Sequence, residues 1–337
     1  MNATRLNFRG RFLGMVRLIN PSPRKSHEVN LYPLPHPAAR AAGVQLWCKR
    51  DDLNSPAPGT ALQGNKVRKL EPILKAALAA PVKPVLFSFG GAFSNHLSAL
   101  ATAGRLYGLQ VVIFVRGEEA DNAVLDQARV DGAELILLSR TEYRKKKDHA
   151  WLMARRKEIA ASYSILATWV WPVPEGGSGP GAAESVGKLY AEIMEDLGAV
   201  PDYLCLSAGT GCSAAGVIAA ANEETRVEVY PALKGDWMAT EIIGFLPNVK
   251  GKNWTCVTDY HFGGYGRFPK EWTARPGRPT SPSTGVLAQI VDIGEPNLPP
   301  LEPIYNAKLF YGVLDRISKG HYPAGSTVVV VHSGGIY

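Results

Sequence analysis

The sequence predicts an α/β protein of two lobes, with parallel-type sheets and flanking helices. Three observations lead there: a length of 337 residues, strand-like runs that alternate with helix-like ones, and one glycine- and proline-rich joint. At roughly 100–200 residues per domain, the chain is too long for one small core. The alternation begins at 84–89 (PVLFSF), which passes through Gly90-Gly91 into a helix-like stretch over 94–107. A run at 110–115 (QVVIFV), a helix over 122–131 and a run at 134–138 follow. Short β-branched runs followed by helices argue for a parallel sheet with short turns. The pattern resumes with 202–207 (DYLCLS), a helix of small residues over 213–222, a strand over 226–230 and the valine-rich run 326–331. The stretch 172–181 (PVPEGGSGPG) reads as the joint. Residues 80–180 are therefore assigned to a smaller α/β domain, and residues 1–79 plus 181–337 to a larger one.

Bulk composition narrows the function classes. Hydrophobic residues make up 46% and charged residues 20%, which is globular composition without a disorder signature. The opening MNATRLNFRGRFLGMVRLINPSPRK has a short apolar stretch interrupted by Arg17 and no small-residue cleavage site, so a signal peptide is not expected. No apolar run approaches the ~20 residues that a membrane span needs. The expected location is the cytoplasm, with no membrane partner. Cys48, Cys205, Cys212 and Cys256 are widely spread, without CxxC or metal-type spacing. Cys48 and Cys205 sit in strand-like runs, where a buried thiol behaves as a small apolar side chain in a reducing compartment. The net charge of +7 raises nucleic acid as a partner, but much of it comes from 140–157. That segment reads as a solvated helix face, and no nucleic-acid module accompanies it.

Four constellations can carry chemistry. In 63–71 (QGNKVRKLE), Lys66 falls at the start of a helix that continues through Leu70, Ile73 and Leu74. The macrodipole there disfavours an ammonium ion, and only a neutral amine forms a Schiff base with an aldehyde. In 88–96 (SFGGAFSNH), two glycines allow close backbone approach to a ligand. Ser94-Asn95-His96 then opens a helix whose N–H groups suit a carboxylate. In 207–216 (SAGTGCSAAG), glycines and hydroxyls between strand and helix suit a phosphate. The same letters contain G-x-G-x-x-A with Glu228 further on, an imitation of a dinucleotide fingerprint that leaves the phosphate's owner open. No P-loop pattern occurs. Towards the C-terminus, Tyr265 and Tyr305 sit in loop-like surroundings as acid–base groups or aromatic cover, and 332–335 reads His-Ser-Gly-Gly.

Taken in order from 49–52 (KRDD) to Gly335, these pieces resemble the 1-aminocyclopropane-1-carboxylate deaminase / D-cysteine desulfhydrase family of pyridoxal 5′-phosphate enzymes. GNKVRKLE is the most specific match. The resemblance implies a two-domain fold of the tryptophan-synthase-β type (PLP fold type II) and a homodimer. It also implies pyridoxal phosphate held covalently by Lys66, and a phosphate cup formed by Gly209, Thr210, Gly211, Cys212 and Ser213. Ser94, Asn95 and His96 match the segment that binds the substrate carboxylate, with Asn95 also near the cofactor ring. Tyr265 and Tyr305 match the two active-site tyrosines, and Ser333 the partner of the pyridine nitrogen.

Two departures point within the family. Deaminases acting on the cyclopropane substrate carry glutamate directly after the second tyrosine, where this chain has Asn306. They carry leucine where it has Ser333. The expected reaction is therefore β-elimination from a small amino acid, D-cysteine to pyruvate, ammonia and hydrogen sulfide. Cyclopropane deamination and L-cysteate desulfonation are the alternatives, and a dinucleotide enzyme is a distant one. The chain stops at Tyr337 where relatives usually run on, and that missing tail is expected to matter for pocket closure.

Overall fold

The computed structural model describes residues 29–118, 122–246, 249, 251–269 and 301–335. The opening stretch read for a signal peptide and the last two residues, Ile336 and Tyr337, lie outside these. Along the chain the elements are β1 (Leu31–Pro33), α1 (Pro37–Ala41), β2 (Gln45–Arg50), α2 (Asn65–Ala79), β3 (Val85–Gly91) and α3 (Asn95–Tyr107). Next come β4 (Gln110–Arg116), α4 (Ala123–Val130), β5 (Glu134–Leu138), α5 (Arg140–Arg144), α6 (His149–Ser162) and β6 (Val170–Pro172). Then follow α7 (Pro180–Leu197), β7 (Tyr203–Ala208), α8 (Cys212–Ala220), β8 (Arg226–Pro231), α9 (Met238–Phe245), β9 (Trp254–Cys256), α10 (Asn306–Ser318) and β10 (Thr327–His332).

Two compact units result. Among the described residues one comprises 73–175, and the other 29–72 with 176–335. The first boundary falls inside α2, at Pro72. A proline there removes one helical N–H donor.

The unit of 73–175 holds a four-stranded sheet, order β5-β4-β3-β6, with every pairing parallel. Phe87, Phe89, Val112, Phe114, Ile136 and Leu138 fill one face, packed with Tyr143 and Ile159 from α5 and α6. Three cations of the basic segment take part in this packing, while Arg140, Arg144, Lys145, Lys147 and Lys157 stay exposed on a solvated face. Lys146 pairs with Glu175 and lies 4.3 Å over the Tyr143 ring, and Arg155 sits 5.4 Å over Trp151. Arg156 donates to the carbonyls of Ala167 and Val170.

The other unit holds a six-stranded sheet, order β1-β2-β10-β7-β8-β9, parallel except where β1 runs antiparallel to β2. Alternation in the valine run divides it between two cores, as a parallel sheet covered on both faces requires. Val329 and Val331 join Leu204, Leu206, Val227 and Val229 under α7, α8 and α9. Val328 and Val330 join Cys48, Cys205, Leu309, Phe310 and Val313 under α1 and α10. Cys48 and Cys205 are thus buried strand thiols, and burial pushes Cys48 up to about 12. All four cysteines are free. No helix among the described residues is long and apolar enough to cross a membrane.

Candidate active site

Parallel strands send their following loops off one edge of a sheet, where ligands of open α/β folds bind. In the larger unit that edge gathers four predicted pieces. Ser333 follows β10, Gly209–Gly211 follow β7, the Tyr265 loop comes after β9, and the start of α2 comes after β2. Lys66, the segment 209–213, Tyr265, Tyr305 and Ser333 therefore belong to one unit. Ser94, Asn95 and His96 belong to the other.

The first turn of α2 is pinned at nearly every residue. Gly64 adopts φ +59, and a Cβ there would lie 2.2 Å from the Ser333 carbonyl oxygen, so only glycine lets the two segments meet. The Asn65 N–H then donates to that oxygen at 3.2 Å, while the Asn65 side chain donates to Ser213 Oγ at 3.3 Å. Arg68 is 5% exposed and is clamped between Asp51 and Glu192. Lys69, 4% exposed, donates to Ser178 Oγ at 3.0 Å and Thr210 Oγ1 at 3.4 Å. Glu71 accepts from Ser185.

Lys66 sits partly buried amid these contacts. Burial pulls its amine down to about 7, and the neighbouring charge of Lys69 adds to this. Near neutrality it is thus divided between proton carrier and nucleophile, which a solvated lysine is not. Attachment of pyridoxal phosphate to cofactor-free protein, trapped with borohydride, should rise about tenfold between pH 6 and 8 and then level off. A rise that begins only above pH 9 would contradict a lowered pKa, because an ordinary lysine stays protonated until then.

The segment 209–213 meets α2 from the other side. Gly211 is the N-cap of α8 in a left-handed conformation, with no side chain to fill the cap. Thr210 and Ser178 share a 2.8 Å hydrogen bond. A Cβ on Gly209 would come 3.0 Å from Tyr305 Cε1 and 3.1 Å from its hydroxyl. Uncapped helix N–H groups, the hydroxyls of Thr210, Ser213 and Ser178, and the buried Lys69 form a donor set suited to a phosphate dianion. With an amine near pKa 7 on the adjacent turn, these residues fit pyridoxal phosphate. No group of His, Cys, Asp and Glu among the described residues is arranged to hold a metal ion.

Tyr305 is the N-cap of α10, and its ring lies 6.2 Å from that of Tyr265, edge to face. Glu302, 7% exposed, accepts from the N–H groups of Ile304, Tyr305 and Asn306. Asn306 is fully buried. Its amide donates to the Gly334 carbonyl at 2.7 Å, and its oxygen lies 3.2 Å from both Ser333 N and Ser333 Oγ.

In the smaller unit, Ser94 takes the N-cap position of α3 with extended backbone, yet its hydroxyl makes no capping bond. His96 is 1% exposed, with Nε2 2.8 Å from Ser88 Oγ. Ser88 spends its own proton on the Val173 carbonyl, so the imidazole N–H is the donor in that contact.

Sequence reasoning passed over Lys69, Ser178 and Glu302. Lys69 was accessible to it, because i+3 on a helix places it on the face of Lys66. An acid just ahead of a helix start was an equally usable signal for Glu302. Nothing local marks Ser178. The dinucleotide alternative is overturned at Glu228. That residue lies inside β8 rather than at its end, is fully buried, and accepts from Tyr322, Tyr230 and Arg316, so no ribose can reach it.

A sheet edge carrying a donor set suited to a phosphate, beside a lysine of lowered pKa, is an arrangement that fits the class of pyridoxal-phosphate enzymes. The family model described as "Pyridoxal-phosphate dependent enzyme" matches residues 28–250, and the chain belongs to that family. Within it the chain is similar to a protein described as a putative 1-aminocyclopropane-1-carboxylate deaminase of Pyrococcus abyssi. The two are 29% identical over 322 residues, covering 88% of this chain and 86% of that one. It is also similar to 1-aminocyclopropane-1-carboxylate deaminase of Variovorax paradoxus, at 28% identity with 91% of each chain covered. The crystal structure of an ACC deaminase homologue superposes with a TM-score of 0.70 at 26% identity, over 92% of this chain and 90% of that one. The chain is thus a pyridoxal-phosphate-dependent enzyme, and its resemblance to the deaminase / desulfhydrase family extends over most of its length.

Proposed function

We propose that the protein deaminates a small amino acid carrying a β-leaving group, with D-cysteine the first candidate substrate. The observation that carries this reading is the Asn306–Ser333 pair. Relatives acting on the cyclopropane ring are distinguished, in the resemblance, by glutamate and leucine at these two places. Here the buried amide is spent on Gly334 and Ser333, and it offers no carboxylate. A hydroxyl holds a protonated ring nitrogen less firmly than a carboxylate does, which suits a reaction whose negative charge departs with the leaving group.

Bound pyridoxal phosphate supplies an electron sink that makes the α-proton labile. Lys66 is the group assigned to take that proton, and an amine near 7 is matched to the task. Lys69, Thr210 and Ser213 hold the phosphate, and the α3 start with Ser94, Asn95 and His96 receives the substrate carboxylate. The bond between His96 and Ser88 supports that reading by fixing the helix start to β3. Tyr265 and Tyr305 are assigned to protonate the leaving group. The working form under this reading is a cytoplasmic homodimer.

The second reading, opening of the cyclopropane ring, is supported by the names of the Pyrococcus and Variovorax relatives. Products separate the two. D-cysteine plus water yields pyruvate, ammonia and sulfide, whereas the cyclopropane amino acid plus water yields 2-oxobutyrate and ammonia. Turnover on a panel of D- and L-cysteine, L-cysteate, β-chloroalanine and the cyclopropane substrate should give pyruvate with sulfide from D-cysteine. Release of 2-oxobutyrate alone would replace the first reading with the second.

A further inference from the structure

Lys308 is a buried lysine, 2% exposed, one turn into α10 from Tyr305. Its ammonium donates to three carbonyls, Ala232 at 3.1 Å, His261 at 2.9 Å and Gly264 at 2.9 Å. Three acceptors match the three N–H bonds of the charged form. A neutral amine would set its lone pair against one of them. Burial draws the group down to about 8, and the nearby carboxylate of Glu302 holds its charge on.

Two of those carbonyls belong to the turn that ends at Tyr265. The turn is not a regular element, and it holds Phe262 at φ +51, Gly263 at +93 and Gly264 at +121. Its internal bonds are few. Gly264 N–H donates to His261 O, Arg267 N–H to Gly264 O, and Gly263 N–H to His261 Nδ1. Backbone with positive φ at a non-glycine residue persists only where its surroundings impose it. Lys308 draws the His261 and Gly264 carbonyls onto one point, and Phe262 packs its ring 5.4 Å from Tyr311 of the same helix. The same helix carries Tyr305 at its N-cap and Lys308 one turn later, so one rigid body sets both tyrosines.

We propose that Lys308 is a positioning residue that orients Tyr265 against Tyr305 by clamping the 261–264 turn to α10. The inference rests on the reading above that Tyr265 takes part in the reaction, but its mechanical half stands apart from that reading. In hydrogen exchange on the cofactor-loaded enzyme, Lys308→Met should release protection of amides 263–267 while β7, β8 and β10 keep theirs. Its kcat should fall roughly 10- to 100-fold with KM little changed, the scale of a misplaced reacting group. Combined with Tyr265→Phe, it should cost little beyond Tyr265→Phe alone, because the clamp then has nothing to aim.

Should Lys308→Met not fold, Lys308→Arg serves in its place. The charge is kept, but the longer planar guanidinium cannot meet three converging carbonyls, so the same amides should lose protection. Unchanged exchange at 263–267 in whichever variant folds overturns the clamp. Equal losses of activity from Lys308→Met with and without Tyr265 also overturn it, in favour of a general structural role. Full activity of Tyr265→Phe alone would instead remove the reading of Tyr265 and leave the exchange result to judge the clamp.

Discussion

Lys66→Ala is expected to abolish borohydride-fixable attachment of pyridoxal phosphate and to lower turnover by at least about 10³-fold, since the proposed mechanism assigns one side chain the parts of both anchor and base. The two losses should separate under rescue. A small primary amine added to the medium can stand in as a proton acceptor, but it cannot restore a covalent link to the chain. The cup is independent of the amine. Lys69, Ser178 and Thr210 keep their mutual bonds without Lys66, and the start of α8 stays uncapped. The variant should therefore still bind the cofactor reversibly, at weakened affinity, and titration by fluorescence would measure this. Retained covalent attachment in Lys66→Ala would place the anchor on another lysine. Lys69 would come first, being buried in the same cup with its own pKa lowered by burial.

What the sequence made legible, and what it did not, divides along the range of the forces involved. Helix and strand periodicity is local, and the runs at 134–138, 226–230 and 326–331 appear as β5, β8 and β10 with ends shifted by at most a residue. Strand order depends on which valine faces which neighbour across hundreds of residues, and no local pattern encodes that. The joint at 172–181 hides a second lesson. Pro180 and Gly181 read as loop but form the first turn of α7, because proline is well tolerated where a helix has no N–H partner to lose.

The lysine shows a subtler gap. Sequence reasoning drew a lowered pKa for Lys66 from the helix dipole, but it was the family resemblance that singled the residue out over a solvated helix-start lysine. The dominant causes of its lowered pKa are burial and the charge of Lys69, both of them products of the assembled sheet edge. The lowered pKa expected from the helix start thus has other physical causes in the folded chain.

Arg68→Met should be the costliest single change outside the chemistry itself. The guanidinium donates to Asp51 at 2.7 Å and to both oxygens of Glu192 at 2.7 Å, so one cation ties the first turn of α2 to the end of β2 and to α7. Lys49, beside it, takes Asp196 at 2.5 Å. Asp51 is fully buried, and among the described residues Arg68 is the cation its carboxylate bonds, so removing Arg68 strands that charge. Breaking a buried pair in this way costs about 3–5 kcal/mol, well above the net worth of the intact pair. For units of this size that corresponds to a fall in melting midpoint on the order of 10 °C. The double variant Asp51→Asn with Arg68→Met should recover part of the loss, since the stranded charge is then gone. Cofactor affinity should drop in the single variant too, because Lys66 and Lys69 ride on the turn that Arg68 anchors. A midpoint within about 1 °C of the parent would mean that the Asp51 carboxylate finds water or another partner once Arg68 is gone. The motif's arginine would then be ornament to the site and not its foundation.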